Sequence, residues 1–283
     1  MAGTNTDQIA YWNETSGPKW VALQDLLDVL TEPAGRLAIA RAAPRDGERV
    51  LDVGCGCGQT TLWLADAVGK RGHVTGLDVS RPMLARARER VAAAGLAHVE
   101  LIEADAQTYP VPAGLDLVFS RFGVMFFEDP ASAFANLASA LRPGGRMTFV
   151  CWRPMGENPW MTLPLQAAAK HVPLPEPGPQ DAPGPFALAD PDRLRGILEG
   201  AGLRAVEVVP HTVPVTVAAG APLAAALDFM LDVGPTAALL REAPDAVRRD
   251  AMRSLEAALA PHHSDAGVVL SGAVWVASGR APE

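Results

Sequence analysis

Apolar residues return along this chain in two periods, and the alternation between them predicts its elements. In residues 8–43, Trp20, Leu23, Leu26, Leu27 and Leu30 recur at intervals of three and four, the period of amphipathic helices, and Pro33 punctuates the pattern. A helical N-terminal cap is expected there. Residues 49–53 then read as a short apolar strand, glycines follow, and an amphipathic run over 60–68 stops at Gly69. The same rhythm repeats as a strand over 73–78, a helix over 81–94 closed by Gly95, and a strand over 99–104. Pro82 sits in the first helical turn, where its missing N–H costs nothing. Residues 115–120 suit a buried strand, 130–141 a helix, and 146–151 another strand after the turn Arg142-Pro143-Gly144-Gly145. Strands alternating with helices predict an α/β fold with a parallel sheet wrapped on both faces.

The pattern changes after Trp152. Prolines crowd residues 154–190, and the stretch 173–185 is unsuited to regular helix, so this segment reads as a lid. Asp190 is placed to cap a helix over 191–199 that ends at Gly200 and Gly202. Residues 204–217 return to strand character, 222–262 are helical and rich in Ala and Leu, and 268–277 form a last β-branched strand. The chain therefore divides into a cap (1–45), a core (46–153), lid or acceptor insertions (154–190 and 218–264), and the remaining core pieces (191–217 and 265–283). A length of 283 residues fits one core domain carrying insertions.

Composition narrows the function classes. With 49% apolar and 20% charged residues the chain is globular, and 24 Lys plus Arg against 32 Asp plus Glu leave a formal charge of -8. No cationic stripe is present to neutralise phosphates, so nucleic acid is not an expected partner. Cys55 and Cys57 share a glycine-rich turn where a disulfide would be strained, which fits a reducing compartment. The first seven residues have neither the basic nor the apolar region of a signal peptide, and no apolar stretch is long enough to span a bilayer. A cytoplasmic monomer or homodimer without membrane contact is expected. No Cys or His spacing suits a metal, so none is expected.

The strongest chemical signal is Val50-Leu51-Asp52-Val53-Gly54-Cys55-Gly56-Cys57-Gly58-Gln59-Thr60, an apolar strand entering three glycines and then a helix. Glycine removes a Cβ where a ligand touches backbone, and the helix start offers free N–H groups. A dinucleotide fingerprint places glycine where this chain has Gln59, whereas these glycines fall on alternate residues. This strand and turn resemble the first motif of class I S-adenosylmethionine-dependent methyltransferases, and four further segments follow in that family's order. The resemblance is firm over residues 48–152 and closest to ubiquinone and menaquinone biosynthesis methyltransferases and related small-molecule enzymes. It implies a Rossmann-like seven-stranded sheet, six strands parallel and the last antiparallel, with the cap and insertions roofing the site.

The resemblance also assigns residues to S-adenosylmethionine. Gly54, Gly56 and Gly58 form the turn. Asp78, ending the second strand before Val79, would accept from both ribose hydroxyls, and Asp105 with Ala106 would hold adenine through the side chain and the next backbone N–H. Met83 and Leu84 pack either on the adenine face or in the core. Asp52 braces the loop, contacts the methionine amino group, or does both. Ser120, Arg121 and Phe122 fall beside the methionine tail, and Arg121 either binds a carboxylate or caps a surface ion pair. Tyr11, Trp12 and Trp20 in the cap resemble a closing helix, Tyr11 reaching the methionine carboxylate or merely packing. On the acceptor side stand Arg121, Phe126, Phe127, Trp152 and His211, although all six histidines read first as structural. The Asn/Asp-Pro-Pro-Tyr/Phe signature of amide and nucleobase methylation is missing after the fourth strand.

The implied activity is methyl transfer to a small, rather apolar acceptor, leaving S-adenosylhomocysteine. Because the donor methyl is already activated, alignment and exclusion of water are the main demands, which accounts for the lack of a standout nucleophile or acid–base pair. Two rivals remain: a non-catalytic S-adenosylmethionine-binding protein, and a nicotinamide-dependent oxidoreductase, which Gln59 and the Asp105-Ala106 pair disfavour.

Overall fold

The computed structural model describes residues 5–176, 178–179 and 181–283. Residues 1–4 of the N-terminal stretch, and Pro177 and Gln180 of the proline-rich segment, lie outside the described residues. The chain opens with α1 (Thr6–Ala10), a π-helical turn (Tyr11–Thr15), α2 (Ser16–Ala22) and α3 (Gln24–Ala42). The alternating core follows as β1 (Arg49–Val53), α4 (Gln59–Val68), β2 (His73–Asp78), α5 (Arg81–Ala93), β3 (Val99–Glu103), β4 (Leu115–Arg121), α6 (Pro130–Ser139) and β5 (Leu141–Trp152). After it come α7 (Pro159–Ala168), α8 (Pro191–Gly200), β6 (Arg204–Val217), α9 (Leu223–Asp232), α10 (Pro235–Leu240), α11 (Asp245–Leu259), β7 (His263–Ser264) and β8 (Gly267–Arg280).

The strands lie in the order β3-β2-β1-β4-β5-β8-β6. Neighbours from β3 to β5 pair in parallel, and β8 runs antiparallel between β5 and β6. Six long strands therefore share one direction and the last opposes them, as expected, while the two-residue β7 adds a short hairpin to β8. Right-handed crossovers leave β1 toward β2 and β4 toward β5 in opposite directions, which puts α4 and α5 on one face and α6 on the other. α3 touches α4 and lies along β4, β5, β6 and β8, completing the first layer, and α8 joins α6 in the second. With both faces covered, β1 is buried at every residue but Arg49, and Phe119, Phe134 and Phe149 are fully enclosed.

Three boundaries differ from the sequence reading. Pro33 lies inside α3 rather than ending it, because Leu30, Ala34, Ala38 and Ala42 form a buried stripe whose packing outweighs one lost backbone bond. Residues 142–145 sit inside β5 instead of forming a turn before it: Leu141 pairs with Leu115 and Arg146 with Leu117, so the surplus residues bulge out, with Gly144 at φ 69°. α6 accordingly stops at Ser139. Asp190 caps α8 as expected, its Oδ1 accepting from the N–H groups of Asp192 (2.9 Å) and Arg193 (3.1 Å).

The bulged end of β5 also anchors α3. Arg146 donates to the carbonyls of Ala42 (2.6 Å) and Ala43 (2.9 Å) at the helix end and makes a two-point contact with the Glu48 carboxylate at 2.8 and 2.7 Å. The side chains are only 14% and 9% exposed, so the ions are largely desolvated and neither tolerates loss of the other. Glu48→Ala is expected to destabilise the protein by about 3 kcal/mol, measured by urea unfolding; a loss below ~1 kcal/mol would show the pair to behave as a surface bridge.

Candidate functional site

The strand order reverses between β1 and β4, and their carboxyl ends diverge there to open a crevice. The crevice is a cavity of about 610 Å³, closed on the solvent side by the N-terminal helices and by residues from the segments after β5 and β6. Its base is the glycine turn. Gly54, at φ 68°, turns back so closely on the loop after β4 that a Cβ would stand 2.6 Å from the Gly123 Cα. Gly58, at φ 87°, faces α5, and its Cβ would lie 3.1 Å from that of Ala87. Their spacing thus answers to two different neighbours.

Asp78 ends β2 beside this turn. One carboxylate oxygen accepts from the Gly56 N–H and the other from the Ser80 N–H, both at 2.8 Å. Burial raises its pKa and these backbone donors oppose the rise. Asp78 lines the cavity, and its carboxylate has acceptor capacity beyond these backbone bonds. At the end of β3, one oxygen of Asp105 accepts from the Gln107 N–H at 3.0 Å. Met83, at the start of α5, lies close enough to the turn that a Cβ on Gly56 would be 2.9 Å from its methyl carbon.

Of the residues singled out in the sequence, Tyr11, Trp20, Gly54, Gly56, Asp78, Val79, Met83, Asp105 and Ala106 line the cavity, and so do Arg121, Phe127 and Trp152. Asp52, Gly58, Ser120 and His211 do not. Asp52 is wholly buried under α4, where its Oδ2 accepts from the hydroxyls of Thr60 and Thr61, both at 2.7 Å, while Oδ1 has no protein partner. It braces the turn from behind. Ser120 does so from β4, donating to the Val53 carbonyl at 2.7 Å and accepting from the Gly123 N–H at 3.2 Å. His211 lies on β6 opposite Val274, and β6 is the strand at the end of the sheet.

Arg121 is already engaged. It donates to Gln59 and faces Asp28 of α3 at 4.0 Å, and burial lowers its pKa against the pull of Asp28 and Asp52. Asp28 also pairs with Arg90 of α5 at 2.9 Å and accepts from Gln24 at 2.7 Å, and Arg90 donates to the Cys57 carbonyl at 2.9 Å. Gln59, the residue that departs from the dinucleotide pattern, accepts from Arg121 of β4 and donates to the Asp28 carbonyl of α3 at 3.4 Å, linking β4 to the cap. Asn13 and Ser80 fasten the cap a second time: Asn13 donates to the Val79 carbonyl and Ser80 to the Trp12 carbonyl, each at 2.8 Å.

These polar partners were missed in the sequence, where Gln24 and Asp28 one helical turn apart on the apolar face of α3 were the available signal. The lining of the cavity was also underestimated: Trp160, Phe186, residues 233–235, Ala237 and Ala238 join it, alongside Phe122. Phe122 holds a left-handed backbone, φ 63°, unusual for an aromatic residue, and stacks on Trp152 with centroids 4.3 Å apart. Burial pushes the Cys57 thiol up to about 12 and Cys55 well above its ordinary value, so neither is a thiolate near neutrality. Among the described residues, no group of three His, Cys, Asp or Glu is placed to hold a metal.

The segment that builds this turn and the ends of β2 to β4 matches the family model described as a methyltransferase domain, over residues 50–145. The chain is 39% identical over 118 residues to the aklanonic acid methyltransferase DauC of Streptomyces sp. (strain C5), a match covering 41% of this chain and 54% of that protein. It is 38% identical over 105 residues to a demethylmenaquinone methyltransferase of Listeria monocytogenes, covering 37% and 44%. The chain spans about half the length of the curated relatives it matches. A SAM-dependent methyltransferase from Aquifex aeolicus superposes with a TM-score of 0.52 at 24% identity, over 68% of this chain and 91% of that one, and shares the fold.

The turn makes one pH prediction. Burial raises the Asp52 pKa from 3.8 to about 6, against the opposing Thr hydroxyls and Arg121 charge. The native state then holds a proton that the unfolded chain has lost between about pH 4 and 6, so this group costs stability as pH rises through that window. Asp52→Asn removes the effect and keeps an acceptor for the threonines. Relative to wild type, the variant is expected to be about 2 kcal/mol more favourable at pH 8 than at pH 4 in urea unfolding; an offset equal at both pH values would contradict the shift.

Proposed function

We propose that this protein transfers a methyl group from S-adenosylmethionine, in line, to a small and fairly apolar acceptor. The observation that carries the reading is the mixed lining of the cavity: the glycine turn, Asp78 and the Asp105-Ala106 pair border it together with aromatic and aliphatic side chains. The group fits the residues present. Asp78 and Asp105 each keep acceptor capacity beyond their backbone bonds, the turn has no side chain to obstruct a close ligand, and the volume lies in the range of cofactor sites.

In this reading Asp78 holds the ribose hydroxyls, Asp105 and the Ala106 N–H hold the adenine edge, and Met83 packs against the base. Asp52, Ser120 and Gly58 act indirectly, by fixing the turn. When bound, the cofactor supplies an activated methyl on a sulfonium. The chain's own contribution is to align the acceptor and to exclude water, which the cap achieves through Asp28, Asn13 and Ser80. Cavity residues Trp12, Phe126 and Phe127 favour an apolar acceptor. The relatives' names, one an aklanonic acid and the other a demethylmenaquinone methyltransferase, support a small-molecule acceptor.

Formation of S-adenosylhomocysteine with any acceptor tests the activity and separates it from binding without turnover. For the cofactor assignment, Asp78→Ala is expected to weaken S-adenosylhomocysteine about a hundredfold, roughly 3 kcal/mol for two charge-assisted ribose bonds, by calorimetry. A folded variant weakened less than threefold would remove Asp78 from the ribose site.

A further inference from the structure

The Ala106 N–H, proposed to meet the adenine edge, belongs to a turn closed by its own backbone. The Asp105 carbonyl accepts from the N–H groups of Thr108 (3.1 Å) and Tyr109 (2.8 Å), and the Asp105 side chain from that of Gln107 (3.0 Å). In a trans peptide the carbonyl and the next N–H point opposite ways, so the Asp105 carbonyl faces into the turn and the Ala106 N–H faces out of it. Such bonds set the shape of a turn but not where it lies on the fold. Its start is tied to β2, where the Ala104 N–H donates to the Asp78 carbonyl at 3.0 Å. Its far side is held by α6. At the N-cap of that helix the Asp129 N–H donates to Gln107 Oε1 at 2.9 Å, and about two turns further on Asn136 donates to the carbonyls of Ala106 (2.9 Å) and Tyr109 (2.8 Å).

Both of the last two bonds leave one side-chain nitrogen. A primary amide has two N–H donors, and two carbonyl oxygens within 3 Å fix which end of the Asn136 amide faces the turn. Both donors are then spent, one on a residue that lines the cavity and one on the residue that ends the turn. The base they stand on is firm: Ala133, Phe134 and Leu137, around Asn136 in the helix, are wholly enclosed.

We infer that Asn136 is the positioning residue of the adenine site. By holding Ala106 and Tyr109 against α6 it fixes where Asp105 and the Ala106 N–H meet the base, and with that the preference for adenine over a purine of opposite hydrogen-bonding pattern. The inference rests on the reading of Asp105 and Ala106 as the adenine contacts. Hypoxanthine has an oxygen in place of the adenine amine and an N–H in place of the ring acceptor. A fixed site sets that oxygen against the Asp105 carboxylate and that N–H against the Ala106 N–H, and rejects it; a turn free to shift loses the distinction.

The test compares S-adenosylhomocysteine with S-inosylhomocysteine by calorimetric titration of the full chain. Wild type is expected to favour the adenine compound by about thirtyfold or more. Asn136→Asp keeps the side-chain size and its carboxylate cannot donate to the two carbonyls, while Asn136→Ala removes the donors without adding charge. Each should bring the ratio below about fivefold, chiefly by weakening S-adenosylhomocysteine. A residue that merely stabilises the fold lowers the melting temperature or moves both affinities by one factor, so an unchanged ratio in either variant overturns the inference. The same link is read without a variant on the Asn136 side-chain amide protons by NMR. Their exchange with solvent is expected to slow about tenfold on saturation with S-adenosylhomocysteine and less than about twofold with S-inosylhomocysteine, and equal slowing by the two overturns the inference as well. A wild type that binds neither compound, or both equally, instead removes the adenine reading on which the inference rests; one that discriminates, with variants that discriminate as well, removes the role of Asn136 alone.

Discussion

Everything at the cavity depends on the backbone contact between Gly54 and Gly123. The ends of β1 and β4 are hydrogen-bonded neighbours that must part to make room for a ligand, yet their loops meet again immediately beyond the strands. A side chain at Gly54 would overlap the Gly123 backbone, and one at Gly123 would stand 2.6 Å from the Val53 carbonyl oxygen. Ser120 stitches the two loops by bonding to both Val53 and Gly123. The left-handed Phe122 precedes Gly123 and carries its ring onto Trp152, so the contact that shapes the glycine turn also places this pair of rings.

The cap is held by charge rather than by apolar packing alone. A single carboxylate, Asp28, serves Arg90 at 2.9 Å and Arg121 at 4.0 Å, and through them it reaches the glycine turn and β4. Its side chain is 14% exposed, so the attraction is felt at a dielectric well below that of water. Because Asp28 and Arg121 border the cavity, the roof and the floor form one electrostatic unit. Arg121 is thereby engaged inside the fold by Gln59 and Asp28, a buried arrangement and not the surface ion pair of its second sequence reading.

The parts legible in the sequence were those governed by local rules. The period of β1 to β4, the positions of Asp78 and Asp105 at strand ends, and the Asp190 cap follow from spacing along the chain alone. Residues whose function depends on what lies across the fold were not legible. Asp52 and Gly54 are two residues apart, yet only the second meets the cavity, because Asp52 is still within β1 and is covered by α4. Gln24 and Asp28 find their partners in α5, more than sixty residues away, and Trp160 reaches the cavity from a stretch whose prolines read as a lid. Pro33 misled for a related reason: its local cost is real, and the sheet beneath α3 overrides it.

The last strand links these distant pieces. β8 lies between β5 and β6, and at Ala273 its backbone holds the segment that leaves β5: Arg153 donates to the Ala273 carbonyl at 3.0 Å, and the Ala273 N–H donates to Asn158 Oδ1 at 2.8 Å. Asn158 is fully buried and spends its amide N–H groups on the Arg153 and Pro154 carbonyls, so it fixes the start of α7 two residues before Trp160. Beside it, Gly272 leaves the space that both tryptophans use, since a Cβ there would lie 3.2 Å from the Trp152 ring and 3.5 Å from that of Trp160. The antiparallel strand, remote in sequence from the glycine turn, therefore positions Trp152 and Trp160, so the glycine turn of the parallel half of the sheet and the tryptophans held by its antiparallel end meet in one cavity.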